Sequence, residues 1–428
     1  MNIFKNPPRE NWRNLCERPQ LDLDSLTGTV KNILENVKRS GDRALIDLTL
    51  KFDNVSLEQL EVTNDEIQQS EKYLSASLKN SIQLAARNIQ KFHAAQKRDV
   101  LTIDTMPGVT CWRKATPIEK IGIYIPGGSA PLFSTVLMLG IPATLGGCKE
   151  VILCTPPNEK GGVNSAILYA ARLVGVTRIF KAGGAQAIAA MAYGTESIPQ
   201  VYKIFGPGNQ FVTKAKQLVS EEGVAIDMPA GPSEVLVIAD ETADPSFIAS
   251  DLLSQAEHGP DSQVMLVVNE KVTVDSIIKE IKNQLETLPR KDTAEKALAN
   301  SRIIIFDEES AGIDFVNEYA PEHLIINTKN SDEVAGKITN AGSVFLGAYT
   351  PESAGDYASG TNHTLPTNGY AKAYAGVSLD SFVKYITFQK ITQEGIKTLG
   401  PIVEEMAEAE LLQAHKRAIS IRLKQINS

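Results

Sequence analysis

Two groups of residues in this chain have the types and spacing to do chemistry. The first is Ser254-Gln-Ala-Glu-His-Gly-Pro-Asp261, which closes an amphipathic run beginning at Asp244. On a helix Gln255 and His258 stand three residues apart and share a face, so they could supply half of a metal site. The commoner account of such an octapeptide is a helix end, with a histidine favoured by the dipole, Gly259 ending the helix and Pro260 preventing its continuation. The second group is Glu322-His323. A carboxylate beside an imidazole offers two groups able to move protons near neutral pH. Strand neighbours ordinarily point to opposite faces, but Pro321 sets the pair at the start of its strand, where a turn can aim both into one site.

The chain holds 5 histidines. His258, His323, His363 and His415 fall in or beside polar, loop-forming or helix-ending segments, whereas His93 lies in a helical pattern and reads as a packing residue. Where no thiolates are offered, borderline ions such as zinc take imidazole and carboxylate oxygen. Ligand chemistry alone therefore selects His258 and His415 with Asp261 or Asp356. It leaves out Gln255, because a side-chain amide is a poor zinc ligand.

The elements that must position these residues follow from periodicity. Apolar positions at helical spacing (Val30, Ile33, Leu34 and Val37, then Ile82, Ala86, Ile89 and Phe92) predict a helical N-terminal arm over 1–115, with Thr63-Asn-Asp-Glu66 as a capping box opening a second, long helix. From Ile121 short apolar strands alternate with helices, predicting βαβ units and parallel sheets. Three glycine turns, Pro126-Gly-Gly-Ser, Gly183-Gly-Ala-Gln186 and Gly206-Pro-Gly-Asn209, leave strands and enter helices. Backbone N–H groups at such turns can receive an anionic group, although none has the GxGxxG spacing. The fold expected is two tandem Rossmann-like α/β domains, 116–232 and 233–375, meeting at the Pro- and Gly-rich segment Asp227–Ser233. A helical C-terminal segment over 376–428 ends in one acidic-then-basic helix, along which Glu410 and His415 would point about 140° apart. The polar stretch from Ala348 to Ala375, which carries Asp356 and His363, reads as a long functional loop.

Composition excludes several classes. With 428 residues, 43 basic against 51 acidic side chains and a net charge of -8, the chain is not expected to bind nucleic acid. It has neither an apolar leader nor a run of about 18 apolar residues, so no membrane association is expected. Its 4 scattered cysteines read as reduced thiols of a cytoplasmic protein.

The longer motifs resemble those of the histidinol dehydrogenase family over nearly the whole chain. They are Tyr124-Ile-Pro-Gly-Gly-Ser-Ala-Pro-Leu-Phe-Ser-Thr-Val136, Phe205-Gly-Pro-Gly-Asn209, Ile226-Asp-Met-Pro-Ala-Gly-Pro-Ser-Glu234, Leu252–Gln263, Pro321-Glu-His-Leu-Ile325 and Ser353–His363. The resemblance implies an oxidoreductase of histidine biosynthesis that oxidises L-histidinol twice with NAD, through the aldehyde, to L-histidine. It implies one zinc ion per subunit held by Gln255, His258, Asp356 and His415, with His415 coming from the other subunit of a homodimer. NAD contacts would fall on Tyr124, Gln186 and Asn209 in the first α/β domain. Substrate contacts would be Ser233, His323, His363 and Glu410 besides the metal residues, and Glu322 and His323 would be catalytic. The C-terminal segment would form the dimer.

Three other readings compete. A thiohemiacetal-forming aldehyde dehydrogenase would need Cys111 or Cys154 as nucleophile, and neither has an activating motif. A zinc hydrolase is disfavoured by the absence of HExxH and by the glycine turns. A non-catalytic nucleotide-binding protein would have no use for Glu322-His323.

Overall fold

The structure, a computed structural model, describes residues 1–19, 25–127, 130–229 and 231–428. Part of the helical-arm pattern (20–24), part of the first glycine turn (128–129) and Ala230 in the segment between the α/β domains lie outside the described residues. The chain forms two compact units, 1–96 with 118–381, and 97–117 with 382–428.

The described strands are β1 (Asn2–Lys5), β2 (Thr102–Met106), β3 (Val109–Pro117), β4 (Lys120–Tyr124), β5 (Glu150–Thr155), β6 (Arg178–Lys181), β7 (Lys203–Phe205), β8 (Ala225–Ile226), β9 (Glu234–Ala239), β10 (Gln263–Asn269), β11 (Arg302–Phe306), β12 (His323–Asn327), β13 (Ser343–Leu346) and β14 (Val383–Ile391). In the first unit they build two parallel sheets, ordered β6-β5-β4-β7-β8 and β1-β11-β10-β9-β12-β13. Leaving aside β1 on one edge, each sheet starts in the middle, winds to one side and returns to the other, the 3-2-1-4-5 order of a doubly wound fold. Each therefore has a switch point, between β4 and β7 in the first sheet and between β9 and β12 in the second. The expected pair of Rossmann-like sheets is what forms.

Both faces of the second sheet are buried, as a parallel sheet requires. Along β9, Val235, Val237 and Ala239 pack against Ile248, Leu252 and Ala256 of the helix Pro245–Ala256. The intervening Leu236 and Ile238 pack with Phe315, Val316 and Tyr319 on the other face. In the first half the helices Thr27–Asp53 and Gly184–Tyr193 share one core, so the N-terminal helices cover the first sheet.

Several local expectations change. The capping box at Thr63 forms, with Thr63 Oγ1 accepting from the Glu66 N–H at 3.2 Å and the Thr63 N–H donating to Glu66 Oε2 at 2.8 Å. It opens only the short helix Asn64–Ser70, while the long helix Ala76–Ala94 has its own cap, Ser75. Residues 102–115, placed by pattern in the helical arm, fall in β2 and β3, which pair antiparallel with each other, and β3 also pairs antiparallel with β14 from the expected helical C-terminal segment. These strands are exposed or, in β3, mostly half-buried, and so carry little buried apolar alternation to read. The polar stretch 348–375 is not structureless, because Glu352–Tyr357 is helical.

At the first switch point Gly206 has a φ of +124°, and a Cβ there would lie 2.0 Å from the Tyr124 carbonyl oxygen. Gly223 has a φ of +99° but open space around it. Gly223→Ala should therefore cost only backbone strain, about 1–3 kcal/mol, and Gly206→Ala that strain plus overpacking of a further 1–3 kcal/mol or so. Calorimetric melting should place the Gly206→Ala midpoint below that of Gly223→Ala, and coincident midpoints would refute the assignment.

Candidate active site

The turn residues expected to meet a nucleotide collect at the carboxyl ends of the first sheet. Tyr124 ends β4, is buried, and its hydroxyl accepts from the Gly184 N–H at 3.0 Å, where the helix Gly184–Tyr193 begins. Gln186 is buried in the first turn of that helix. Asn209 caps the helix Gln210–Glu221, its Oδ1 accepting from the N–H groups of Phe211 (3.1 Å) and Val212 (3.2 Å). The Gly206 turn is riveted from beneath: Asp227 Oδ2 accepts from the Gly206 N–H at 2.9 Å, Lys216 Nζ donates to the Gly206 carbonyl at 2.9 Å, and Lys216 and Asp227 form a buried ion pair.

The acid–base residues lie at the opposite kind of end, the amino ends of the second sheet, again at its switch point. Ser233 precedes β9 and Glu322 precedes β12, whose first residue is His323. The helix Pro245–Ala256 runs back from β9, capped by Asp244 Oδ1 on the Ser246 N–H at 2.8 Å with Pro245 at its first position. Its last turn thus delivers Gln255, and His258 just beyond, to the same end. Gly259 is not left-handed, so the chain leaves the helix without the glycine cap its sequence suggested.

Glu322 and His323 do not point to opposite faces of a strand. Both gather on the backbone of Glu234, whose N–H donates to Glu322 Oε2 at 2.9 Å and whose carbonyl accepts from His323 Nδ1 at 3.3 Å. That bond assigns the proton to Nδ1 and leaves Nε2 buried without a hydrogen-bond partner, 3.5 Å from Asp356 Oδ1. Asp356 lies on the helix Glu352–Tyr357, and its backbone carbonyl accepts from His363 Nδ1 at 2.9 Å. His363 Nε2 in turn accepts from Thr135 Oγ1 at 3.0 Å, on the helix that follows β4, which ties the cluster to the first sheet. Gln255 is fully buried; its Nε2 donates to His258 Nδ1 at 3.0 Å, and its Oε1 has no partner.

His258, Glu352 and Asp356 each bring one potential ligand atom within 4.8 Å of the others. Of the two aspartates that ligand chemistry offered, Asp356 joins the group and Asp261 does not. Glu352 was not anticipated. Its signal was available, since Pro351 followed by Glu352 and Asp356 puts two carboxylates one turn apart at a helix start. Glu234 and Thr135 were also missed, because Glu234 acts through its backbone and Thr135 reaches a residue 228 positions away.

Glu410 and His415 belong to the second unit and are exposed. They are not on one helix: Gln393–Ala409 and Gln413–Asn427 are separated by a break in which Leu411 has a φ of +60°, so the 140° relation does not hold. Cys154 is fully buried in β5 and burial pushes its thiol far up, which disqualifies it as a nucleophile, and Cys111 lies on β3 of the second unit.

The electrostatics of the cluster follow from crowding. Burial raises Glu322 and Glu352 to about 8. Burial also penalises the imidazolium of His323, but Glu322, Glu352 and Asp356 outweigh it and lift that group to about 10. For Asp356 burial is opposed and overcome by His323, His363 and His258, and its pKa falls. His258 is lowered by loss of hydration even though the residue has an exposed edge.

An α/β protein with two doubly wound parallel sheets, glycine turns at the carboxyl ends of one and a buried carboxylate–imidazole cluster at the amino ends of the other, is built as an enzyme. A family model described as histidinol dehydrogenase matches residues 16–423. A histidinol dehydrogenase of Bacteroides fragilis is 59% identical over 426 residues, covering 100% of both chains. A chloroplastic one of Arabidopsis thaliana is 53% identical, covering 97% of this chain and 89% of its own. The crystal structure of histidinol dehydrogenase from Elizabethkingia anophelis superposes with a TM-score of 0.98 at 58% identity, covering 100% of this chain and 99% of that one. The chain belongs to the histidinol dehydrogenase family and is an oxidoreductase of that type in histidine biosynthesis. No helix among the described residues is long and apolar enough to cross a membrane.

One pH dependence follows from Asp251, on the same helix face as Gln255 and raised by burial to about 7. Between about pH 4 and 7 the folded state holds a proton that the unfolded state has lost. Stability therefore falls as pH rises through that window, by at most about 1.4 kcal/mol per unit. Glu322 and Glu352, also raised, add slope of the same sign. In urea titrations of metal-free protein Asp251→Asn should match the parent near pH 4, exceed it at pH 8 and show a shallower slope. A variant less stable than the parent at pH 8 would contradict this.

Proposed function

We propose that this chain oxidises L-histidinol to L-histidine in two NAD-linked steps at a zinc site formed by Gln255, His258, Asp356 and, from the partner subunit of a homodimer, His415. The observation that carries the reading is a set of buried polar atoms without partners, Gln255 Oε1, His323 Nε2, Glu352 Oε2 and Asp356 Oδ1, on residues that gather around His258: Glu352 and Asp356 each bring an oxygen within 4.8 Å of its ligand atom, His323 Nε2 lies 3.5 Å from Asp356 Oδ1, and the Gln255 amide bonds His258 Nδ1. Such atoms are costly unless something pairs with them, and nitrogen and oxygen donors at one point suit a borderline dication. For NAD, the fit rests on helix starts at Gly184 and Asn209 beside a Gly206 turn with no room for a side chain.

When bound, zinc supplies positive charge and coordination positions for the substrate's imidazole and amine, and NAD accepts hydride. His323 is positioned to take the alcohol proton on Nε2, because Glu234 fixes its Nδ1–H. Its raised pKa reflects three uncompensated carboxylates, and added positive charge in the pocket would bring it back toward neutral pH. Glu322, held through Oε2 by the Glu234 N–H, serves in activating water for the second oxidation. Ser233 and His363 line the same end of the sheet and contact substrate. Glu410 acts as a counter-charge for the substrate ammonium. Turnover of this kind suits a cytoplasmic enzyme.

With limiting L-histidinol and excess NAD, two NADH per histidinol should form, abolished by chelator and restored by zinc. A yield of one, or turnover indifferent to chelation, would overturn the four-electron, metal-dependent reading. His323→Gln should lower kcat about 10²–10⁴-fold. Glu322→Gln should slow oxidation of added aldehyde far more than that of the alcohol, and equal effects on both would remove the role given to Glu322.

A further inference from the structure

We propose that Glu352 is itself a metal-holding residue in the substrate-free enzyme, its carboxylate joining the oxygen and nitrogen donors of Gln255, His258 and Asp356. The inference rests on the metal reading given above and adds a residue to it.

Glu352 is 1% exposed, and its Oε2 has no hydrogen-bond partner. No lysine or arginine forms an ion pair with it among the described residues. A carboxyl buried in that condition resists ionising unless a positive charge reaches it. An oxygen of Glu352 lies within 4.8 Å of the ligand atoms of both His258 and Asp356.

The backbone holds the carboxylate there. Glu352 and Asp356 are four residues apart on one short helix and so share a face. That helix sits close against β13, for a Cβ on Gly355 would be 2.6 Å from Phe345 Cε1. Asn88 Nδ2 on the helix Ala76–Ala94 donates to the Ala358 carbonyl at 2.9 Å just beyond the helix end. Glu352 therefore has little freedom to swing away from the point that Asp356 and His258 also address. A purely structural carboxyl in this place would be expected to pair both oxygens, and its Oε2 finds no donor among the described residues.

The test is zinc affinity without substrate or NAD. Metal-free parent, Glu352→Gln and Glu352→Met are titrated with zinc against a chromophoric chelator, and the melting of each metal-free protein is recorded. Both variants should bind zinc at least 10–100-fold more weakly than the parent. Their metal-free melting temperatures should be equal to or above the parent's, because replacing an unpaired buried charge by a neutral or apolar group of similar size relieves its desolvation. Parent-like zinc affinity in either folded variant would overturn the role of Glu352 while leaving the zinc site intact. A parent chain that binds no zinc would sink the metal reading itself, and the Glu352 assignment with it.

Discussion

Three carboxylates, Glu322, Glu352 and Asp356, meet around His323 in a region where they are nearly out of water. No lysine or arginine forms an ion pair with them among the described residues. Like charges gathered in low dielectric repel strongly, and only protons, imidazolium or a bound cation can relieve them. The chain spends a good deal of structure on keeping them together. Glu234 grips both Glu322 and His323 by its backbone, and its own side chain is fixed by Arg18 Nε at 2.6 Å. The Arg18 guanidinium lies 3.7 Å from the centre of the Tyr319 ring and donates to the Tyr319 carbonyl at 2.5 Å. A buried arginine and glutamate, far apart in sequence, thus set the floor on which the acid–base pair stands, and breaking such a pair is far more damaging than never having it.

The two sheets divide the work by polarity of strand ends. In the first sheet the helices that begin at Gly184 and Gln210 start at the carboxyl ends of β6 and β7, the kind of end at which doubly wound folds receive anionic cofactors. In the second sheet the functional groups sit at the amino ends. That follows from the helix Pro245–Ala256: a crossover helix runs antiparallel to its strands, so its C-terminus returns to the amino end and brings Gln255 and His258 beside the starts of β9 and β12. The Thr135 to His363 hydrogen bond joins the two arrangements within one compact unit.

What the sequence made legible was whatever buries a periodic apolar face. The strands from β4 to β7 and from β9 to β13, with most helices between them, are readable from period and turn residues. β1 and β8 are not, since β1 leaves most of its side chains exposed and β8 has only two residues, too few to show a period. β2 and β14 expose most of their side chains, β3 is mostly half-buried, and none shows an inward apolar stripe. The break at Leu411 uses a left-handed leucine, where composition would have asked for glycine or asparagine. Glu322 and His323 could be picked out as neighbours of complementary chemistry. Their shared orientation depends on the backbone of Glu234, 88 residues away from Glu322, and no local pattern encodes that.

Gln255 is where ordinary ligand preference and the proposed zinc site part company, and the carboxylate cluster supplies the reason. A fourth carboxylate at that position would add negative charge to a pocket that already raises two of its acids to about 8. It would deepen the repulsion in any state without a bound cation. An amide offers an oxygen with no charge, and it also carries an N–H, which here bonds His258 Nδ1 at 3.0 Å and fixes the amide's orientation. With that N–H committed, Oε1 is left buried without a partner. The weaker donor is therefore the one compatible with burying the other three acids, and a glutamate in its place would bind a dication harder while making the empty pocket less stable.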